Sequence, residues 1–176
     1  MAMEKWNFDA VHSHVGFSVR HLMISKVNGH FKVWSGTLET DEPSHTASSV
    51  EVEIDATSID TQDPKRDEHL RSADFLDTAN FPKITFKSSK VTKVEDDRFN
   101  VAGTLTIRGV SQEVVLDTEF AGRQKDPWGG ERAGFSAKTS INRHEFGLAF
   151  NMPLEGGGVL VGEKVSITLE IEVTKA

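Results

Sequence analysis

The chain has 176 residues, 37% hydrophobic and 27% charged, a balance typical of one soluble globular domain rather than a disordered or membrane-spanning chain. Its formal charge of −7 opposes binding to a phosphate backbone, so we expect no nucleic-acid partner. The absence of cysteine excludes disulfides, thiolate zinc sites and cysteine nucleophiles, while 11 Phe against no Tyr indicate an apolar interior without phenol hydroxyls.

The N-terminal segment, residues 1–6, shows no hydrophobic signal sequence. No apolar run approaches the ~20 residues that a bilayer-spanning helix needs. We therefore expect a single domain over residues 1–176, a cytoplasmic location and no integral membrane segment.

Apolar and polar residues alternate along most of the chain, and this period of two predicts antiparallel strands with one dry face. The first such segment runs from Val11 to Met23, and its odd positions are mostly apolar. In the clearest segment, residues 50–56, Val and Ile alternate with Glu and Asp. Further segments cover residues 84–86, 99–107, 114–120, 135–141 and 165–173. Turn sequences such as residues 41–44 and 155–158 separate them, giving about eight strands, enough for a closed barrel or a two-sheet sandwich.

One segment departs from the alternation and predicts a short helix. Asp63 is a good N-cap, Pro64 suits the first helical position, and acidic residues follow in the first turn. We expect the helix to end near Ser72 and to dock Leu70 on the strands.

The phenylalanines are not spread evenly over the pattern. Six of them fall on the dry phase of the predicted strands: Phe17, Phe31, Phe86, Phe99, Phe120 and Phe135. Strand phase thus predicts a wall of hydrocarbon rings, which either surrounds a bound ligand or packs together as a core without a cavity.

The histidines leave two interpretations open. His12 and His14 share a polar strand face, where they are either solvated or two ligands of a metal whose third ligand the spacing does not identify. His21 lies on the apolar face, as a buried neutral side chain or as a contact to a ligand head group. Arg143 similarly pairs either with a carboxylate such as Glu145 or with an anionic head group.

Taken together, the motifs resemble the YceI-like, polyisoprenoid-binding family over nearly the whole chain. The most specific part is the central segment from Arg66 to Phe75, followed by Phe81–Pro82 and residues 84–86. The other matching segments, in chain order, are residues 6–9 with His12 and Ser13, residues 17–22, 29–31, 103–110, 134–135 and 142–147.

The resemblance implies an all-β fold, an eight-stranded antiparallel lipocalin-like barrel that is extended and carries a short helical insertion. It also implies an isoprenoid or other long-chain amphiphile, such as a fatty acid, bound in the lumen for transport, storage or sequestration. We then expect no catalytic residue, metal or cofactor, and a homodimer is possible because barrels can associate laterally. The expected ligand-binding residues are Phe17, Val19, His21, Met23, Phe31, Ile84, Phe86, Leu105, Phe135, Arg143 and Phe146.

Two alternatives stay open at this stage. One is a metal-dependent enzyme that uses His12, His14 or His144, suggested only by seven His in a chain without Cys. The other is a scaffold whose barrel is filled by its own side chains.

Overall fold

In the computed structural model, which describes residues 3–41, 44–155 and 158–176, the chain forms eleven strands and one α-helix. Residues 42–43 and 156–157, which belong to two of the predicted turns, lie outside the described residues. The strands are β1 Glu4–Phe8, β2 His14–His21, β3 Ser25–Phe31, β4 Trp34–Thr40, β5 Ser49–Asp55, β6 Ile59–Asp60, β7 Lys83–Glu95, β8 Arg98–Ile107, β9 Val110–Lys125, β10 Glu131–Asn142 and β11 Val161–Lys175. The helix α1 is Pro64–Arg71, and 3₁₀ turns cover Ala10–His12, Ala56–Ser58 and Arg143–Phe146.

Eight of the strands close into a barrel in the order β1, β4, β5, β7, β8, β9, β10 and β11, with β11 pairing back to β1. All pairings between these strands are antiparallel. The expected eight-stranded antiparallel barrel with a helical insertion is therefore confirmed, and the two-sheet sandwich is excluded. Alternation explains the closure, since every strand has one apolar face to bury and a closed sheet leaves no edge.

The barrel is extended because β11 is longer than its partners. Its C-terminal part pairs with β1, while its N-terminal part pairs with β2, which continues into β3 and β6. The predicted strand from Val11 to Met23 is accordingly shorter, at His14–His21. The carboxylate of Asp9 accepts hydrogen bonds from the backbone N–H groups of Val11 and His12, which turns the chain, and Val11 is left 88% exposed.

Helix α1 begins as the sequence predicts. The carboxylate of Asp63 accepts from the N–H groups of Lys65 and Arg66 at 3.1 and 3.3 Å, and Pro64 occupies the first turn. The buried Asp67 accepts from the N–H and the hydroxyl of Thr61, which fixes the helix to the chain leaving β6. Leu70 packs against the main apolar cluster, so the helix docks on the barrel through this side chain.

The two ends of the barrel are named for what lies there. The α1 end holds the helix, the turn between β2 and β3, and the Arg143–Phe146 turn. The Trp6 end holds β1 and the turns between β7 and β8 and between β9 and β10. A small separate cluster of buried side chains fills the Trp6 end, namely Trp6, Ala133 and Val173.

Candidate functional site

Inward-facing side chains of the barrel surround a cavity of about 630 Å³. This volume lies within the range of small-ligand sites, ~300–1,000 Å³, so side chains do not fill the barrel. Most of the wall is hydrocarbon from Val, Leu, Ile and Phe. The phenylalanines in the wall are Phe8, Phe17, Phe31, Phe75, Phe86, Phe99, Phe135 and Phe150.

Two glycines leave room for aromatic rings that pack directly against them. A Cβ added at Gly29 would lie 2.4 Å from Cζ of Phe17, and one added at Gly103 would lie 2.6 Å from Cζ of Phe86. Any larger residue would collide with these rings and, at Gly103, also with the backbone oxygen of Lys87, 2.5 Å from the added Cβ. The Phe17 ring also packs against Phe31, with 5.7 Å between the ring centroids.

Nine of the eleven expected ligand-binding residues lie together around this cavity. They are Phe17, Val19, His21, Phe31, Ile84, Phe86, Leu105, Phe135 and Arg143. Met23 lies outside the lining, in the turn between β2 and β3, where it is 50% exposed. Phe146 also lies outside it, since it packs into the apolar core and is only 1% exposed.

Five of the six dry-phase phenylalanines reach the cavity. The exception, Phe120, packs against Phe135 with 5.3 Å between the ring centroids and contacts both apolar clusters. A bulge in the pairing of β9 and β10 falls at Phe135, beside these rings. Period-two reasoning does not foresee such a bulge.

Arg143 is buried and bonds to backbone carbonyls rather than to Glu145. Its guanidinium donates to the carbonyl oxygens of Gly162, Leu148 and Val161 at 2.8, 2.5 and 3.2 Å. Burial lowers the pKa of this side chain from its usual value. The side chain therefore ties the chain after β10 to the start of β11, and it borders the cavity at the α1 end.

Helix α1 contributes polar residues to the cavity that sequence reasoning did not identify. Lys65, Arg66 and His69 line it together with Leu70. The imidazole of His69 packs edge-on against Phe75 and Phe150, with 5.1 and 4.9 Å between the ring centroids. The capping residues predicted the helix itself, but which side of the helix faces the cavity depends on how it docks.

A second unpredicted group of polar residues borders the cavity at the Trp6 end. His45 is 6% exposed, and its ring packs 4.8 Å from Phe99 and 5.3 Å from Phe120 between centroids. The Thr40 hydroxyl accepts a hydrogen bond from the indole N–H of Trp6 at 2.8 Å. No sequence signal marked His45, because the loop that places it has no periodic pattern.

The exposure of the lining residues distinguishes the two ends. Among the lining residues that the structure describes, the exposed ones are Arg20, Ser49, Lys65 and His69. All except Ser49 border the α1 end, whereas Thr40 and His45 are buried at the other end. We infer that the cavity is entered from the α1 end.

The histidines of the alternative metal-enzyme interpretation, His12, His14 and His144, do not come together. In the described ranges, the one group of side chains close enough to hold a metal ion is Asp9, His12 and Glu172. The Arg132 guanidinium donates to both carboxylates of this group, at 2.8 and 2.7 Å, and thus supplies the positive charge there. The His12 ring and Arg132 hold the pKa of Asp9 down to about 2.

The other two histidines of the metal hypothesis lie elsewhere. The His14 ring packs 5.4 Å from that of His30 between centroids, and His144 Nδ1 is 3.8 Å from a Glu163 carboxylate oxygen. Within residues 3–41, 44–155 and 158–176, neither belongs to a group of three or more side chains close enough to hold a metal ion.

The described residues contain one α-helix, α1, and its eight residues are too few and too polar to span a bilayer.

Comparison with known proteins gives a consistent result. The family description "YceI-like domain" matches residues 6–173. A UPF0312 protein of Staphylococcus epidermidis is 40% identical over 171 residues, covering 97% of each chain. The crystal structure of Burkholderia cenocepacia BcnA superimposes with a TM-score of 0.83 at 22% identity, covering 94% of this chain and 98% of that one. A polyisoprenoid binding domain from Saccharophagus degradans, implicated in plant cell wall breakdown, has a TM-score of 0.69 at 16% identity and covers 97% of this chain and 98% of its own.

Proposed function

Because the chain belongs to the YceI-like domain family, we propose that it binds an isoprenoid or another long-chain amphiphilic lipid in the lumen of its barrel. The observation that supports this proposal most strongly is the cavity of about 630 Å³ with its hydrocarbon wall. The similar fold of a polyisoprenoid binding domain agrees with it. Transport, storage or sequestration of the lipid in the cytoplasm is the role we propose for this binding.

The physical basis is the transfer of an apolar tail out of water. Each buried methylene contributes about 0.8 kcal/mol, so a tail that fills even part of the cavity offsets the cost of ordering it. The wall presents side chains such as Leu105 and Phe86, which form no hydrogen bonds. We therefore expect tails to be distinguished mainly by length, and little by chemistry.

Selection of a head group falls to the polar residues at the entrance. His21, Lys65 and His69 line the cavity there, and a lipid with its tail in the barrel would place its polar group among them. Arg143 already donates to three backbone carbonyls, so we assign it first to holding the wall in place.

Lipid extraction and native mass spectrometry of the purified protein identify any bound molecule. Titration with fluorescent fatty acids and polyprenols then tests the proposal directly. We expect affinity to rise roughly fourfold per added methylene and to level off once the cavity is full. A protein that is purified without lipid and binds none of these probes would contradict the proposal.

A pair of neighbouring substitutions on β10 tests whether the tail lies inside the barrel. Ala137 lines the cavity, whereas the next residue, Lys138, is exposed on the outer face. We expect Ala137→Phe to lower tail affinity about tenfold by filling the lumen, and Lys138→Phe to leave it unchanged. Equal effects at the two positions would place the tail elsewhere.

We propose binding rather than catalysis, and a triple variant examines that choice. Replacing His12, His14 and His144 together by Ala removes the histidines of the metal-enzyme hypothesis. We expect the variant to bind lipid as the parent does, and elemental analysis of the parent to find no stoichiometric metal. Stoichiometric metal that the triple variant loses would favour an enzyme.

A further inference from the structure

The turn between β2 and β3 presents large apolar side chains to solvent at the α1 end. Leu22, Met23 and Ile24 are 36%, 50% and 80% exposed. Met152, which is 54% exposed, lies in the adjoining loop, because Leu22 N–H donates to Leu160 O and Leu160 N–H donates to Met152 O, each at 2.9 Å. We call these four residues the apex.

Two of the apex residues, Leu22 and Met23, occupy a backbone conformation that is unfavourable for them. Leu22 and Met23 have φ values of +56° and +62°, and the Ile24 N–H donates to His21 O at 3.2 Å. A turn with two positive φ values favours Asn-Gly, because a Cβ is strained there. Leu and Met at these positions therefore have strained backbones and exposed side chains, a combination that folding alone does not favour.

Two cations lie directly behind the apex. Arg20 on β2 is paired in register with Lys26 on β3, and both are exposed. No carboxylate of the described residues is paired with either cation, and the nearby Glu163 instead lies 3.8 Å from His144. Like charges directly opposite each other destabilise a strand pair, so this arrangement favours an external anion.

The apex also adjoins the entrance of the cavity. Its neighbours Arg20, His21 and Leu160 all line the cavity wall. Whatever the apex contacts therefore lies next to the opening through which a ligand would pass.

We propose that the apex docks on a bilayer surface that contains anionic lipid, with its apolar side chains among the acyl chains and Arg20 and Lys26 at the head groups. Apolar burial and attraction to anionic lipid together determine how strongly such surfaces bind. The formal charge of −7 belongs to the chain as a whole, and its effect on a membrane is screened beyond ~8 Å at physiological salt. That a bound lipid is exchanged with the membrane rests on the proposed function, whereas docking on the membrane does not.

Single cysteines locate the docking surface, because the chain has no Cys of its own. Ile24→Cys and Trp128→Cys are a matched pair, since the parent residues are 80% and 81% exposed and Trp128 lies at the Trp6 end. Each variant is labelled with an environment-sensitive fluorophore and mixed with vesicles of phosphatidylcholine and phosphatidylglycerol. We expect a blue shift for the label at position 24 and none for the label at position 128.

Flotation of unlabelled, lipid-free protein with the same vesicles measures affinity. The double variant Leu22→Asn/Met23→Gly supplies the residues that the turn prefers, so we expect its Tm to rise by about 2–4 °C while vesicle binding falls at least fivefold. This rise separates lost docking from lost folding. Arg20→Gln/Lys26→Gln is expected to lower binding about tenfold, as are pure phosphatidylcholine vesicles.

Three results would overturn the proposal: no flotation of the parent protein, equal flotation of the Leu22→Asn/Met23→Gly variant, or a blue shift only for the label at position 128. A parent dimer that this variant converts to a monomer, with no vesicle binding, would instead assign the apex to a second copy of the chain. Tail binding without vesicles is a separate measurement, so its failure is distinguishable from a failure of docking.

Discussion

The two ends of the barrel, built from the same strands, differ in how tightly they are closed. At the Trp6 end, Trp6 and Val173 are 3% and 0% exposed, and ion pairs of Arg123 and Arg132 join the strands around them. At the α1 end, Arg20, Lys65 and His69 line the cavity and are exposed. The comparison teaches that the two ends are built differently: buried side chains and ion pairs close the Trp6 end, whereas exposed lining residues leave the α1 end free to admit a ligand.

Removing the indole at the closed end should have the largest effect on stability. Trp6 is buried, donates to the Thr40 hydroxyl and packs 5.1 Å from the Arg123 guanidinium, measured from the ring centroid. We expect Trp6→Ala to lower the free energy of unfolding by about 3–5 kcal/mol in urea denaturation. Trp34→Ala, at a half-buried cavity position, is the control and should lower the free energy of unfolding clearly less. Equal losses for the two variants would show that the two ends do not differ in this way.

Arg143 tests whether the α1 end depends on one buried side chain. Arg143→Met deprives the carbonyls of Leu148, Val161 and Gly162 of their donor, and we expect a loss of about 2–3 kcal/mol. Arg143→Lys should recover only part of it, since an ammonium lacks the fork of the guanidinium. Full stability of Arg143→Met combined with loss of lipid binding would assign the side chain to a head group instead.

Phe17 distinguishes a lumen wall from a packed core. It is half-buried and faces the cavity, so Phe17→Ala should cost about 1–2 kcal/mol, less than a packed core Phe would. The same change should lower tail affinity several-fold, as measured by fluorescent fatty-acid titration. A loss of ~4 kcal/mol with unchanged affinity would show that the ring is packed into a tight core.

The ion pairs of the closed end predict a small loss of stability in acid. Arg123 and Lys175 lower the pKa of Glu4 from 4.5 to about 2, so the stability that Glu4 contributes is complete above pH 4.5 and is lost as the pH falls through about 2. We expect Glu4→Gln to cost about 1 kcal/mol at pH 7, after allowance for solvent screening, and only a small fraction of that at pH 2. Glu39→Gln, in a more exposed pair with Lys5, is the control and should change the free energy of unfolding less at either pH. A loss of stability in Glu4→Gln that does not depend on pH would contradict the ion-pair account.

The sequence by itself determined the local structure and the chemistry of the wall. Alternation placed Phe17, Phe86 and Phe135 on the dry face, and the cap at Asp63 predicted helix α1, because strand phase and capping depend on neighbouring residues. Alternation predicted too long a strand from Val11 to Met23. The turn capped by Asp9 delays its start, and the strained turn at Leu22 and Met23 ends it early.

Only the tertiary structure decided which residues meet across the barrel. In the folded chain, eight strands close around an open lumen. His45 packs against Phe99, His69 packs against Phe150, and Arg143 donates to three backbone carbonyls. The fold also exposes the apex beside the entrance. Most of these contacts join residues far apart in the chain, so they depend on strand order, register and helix docking, which no local pattern encodes.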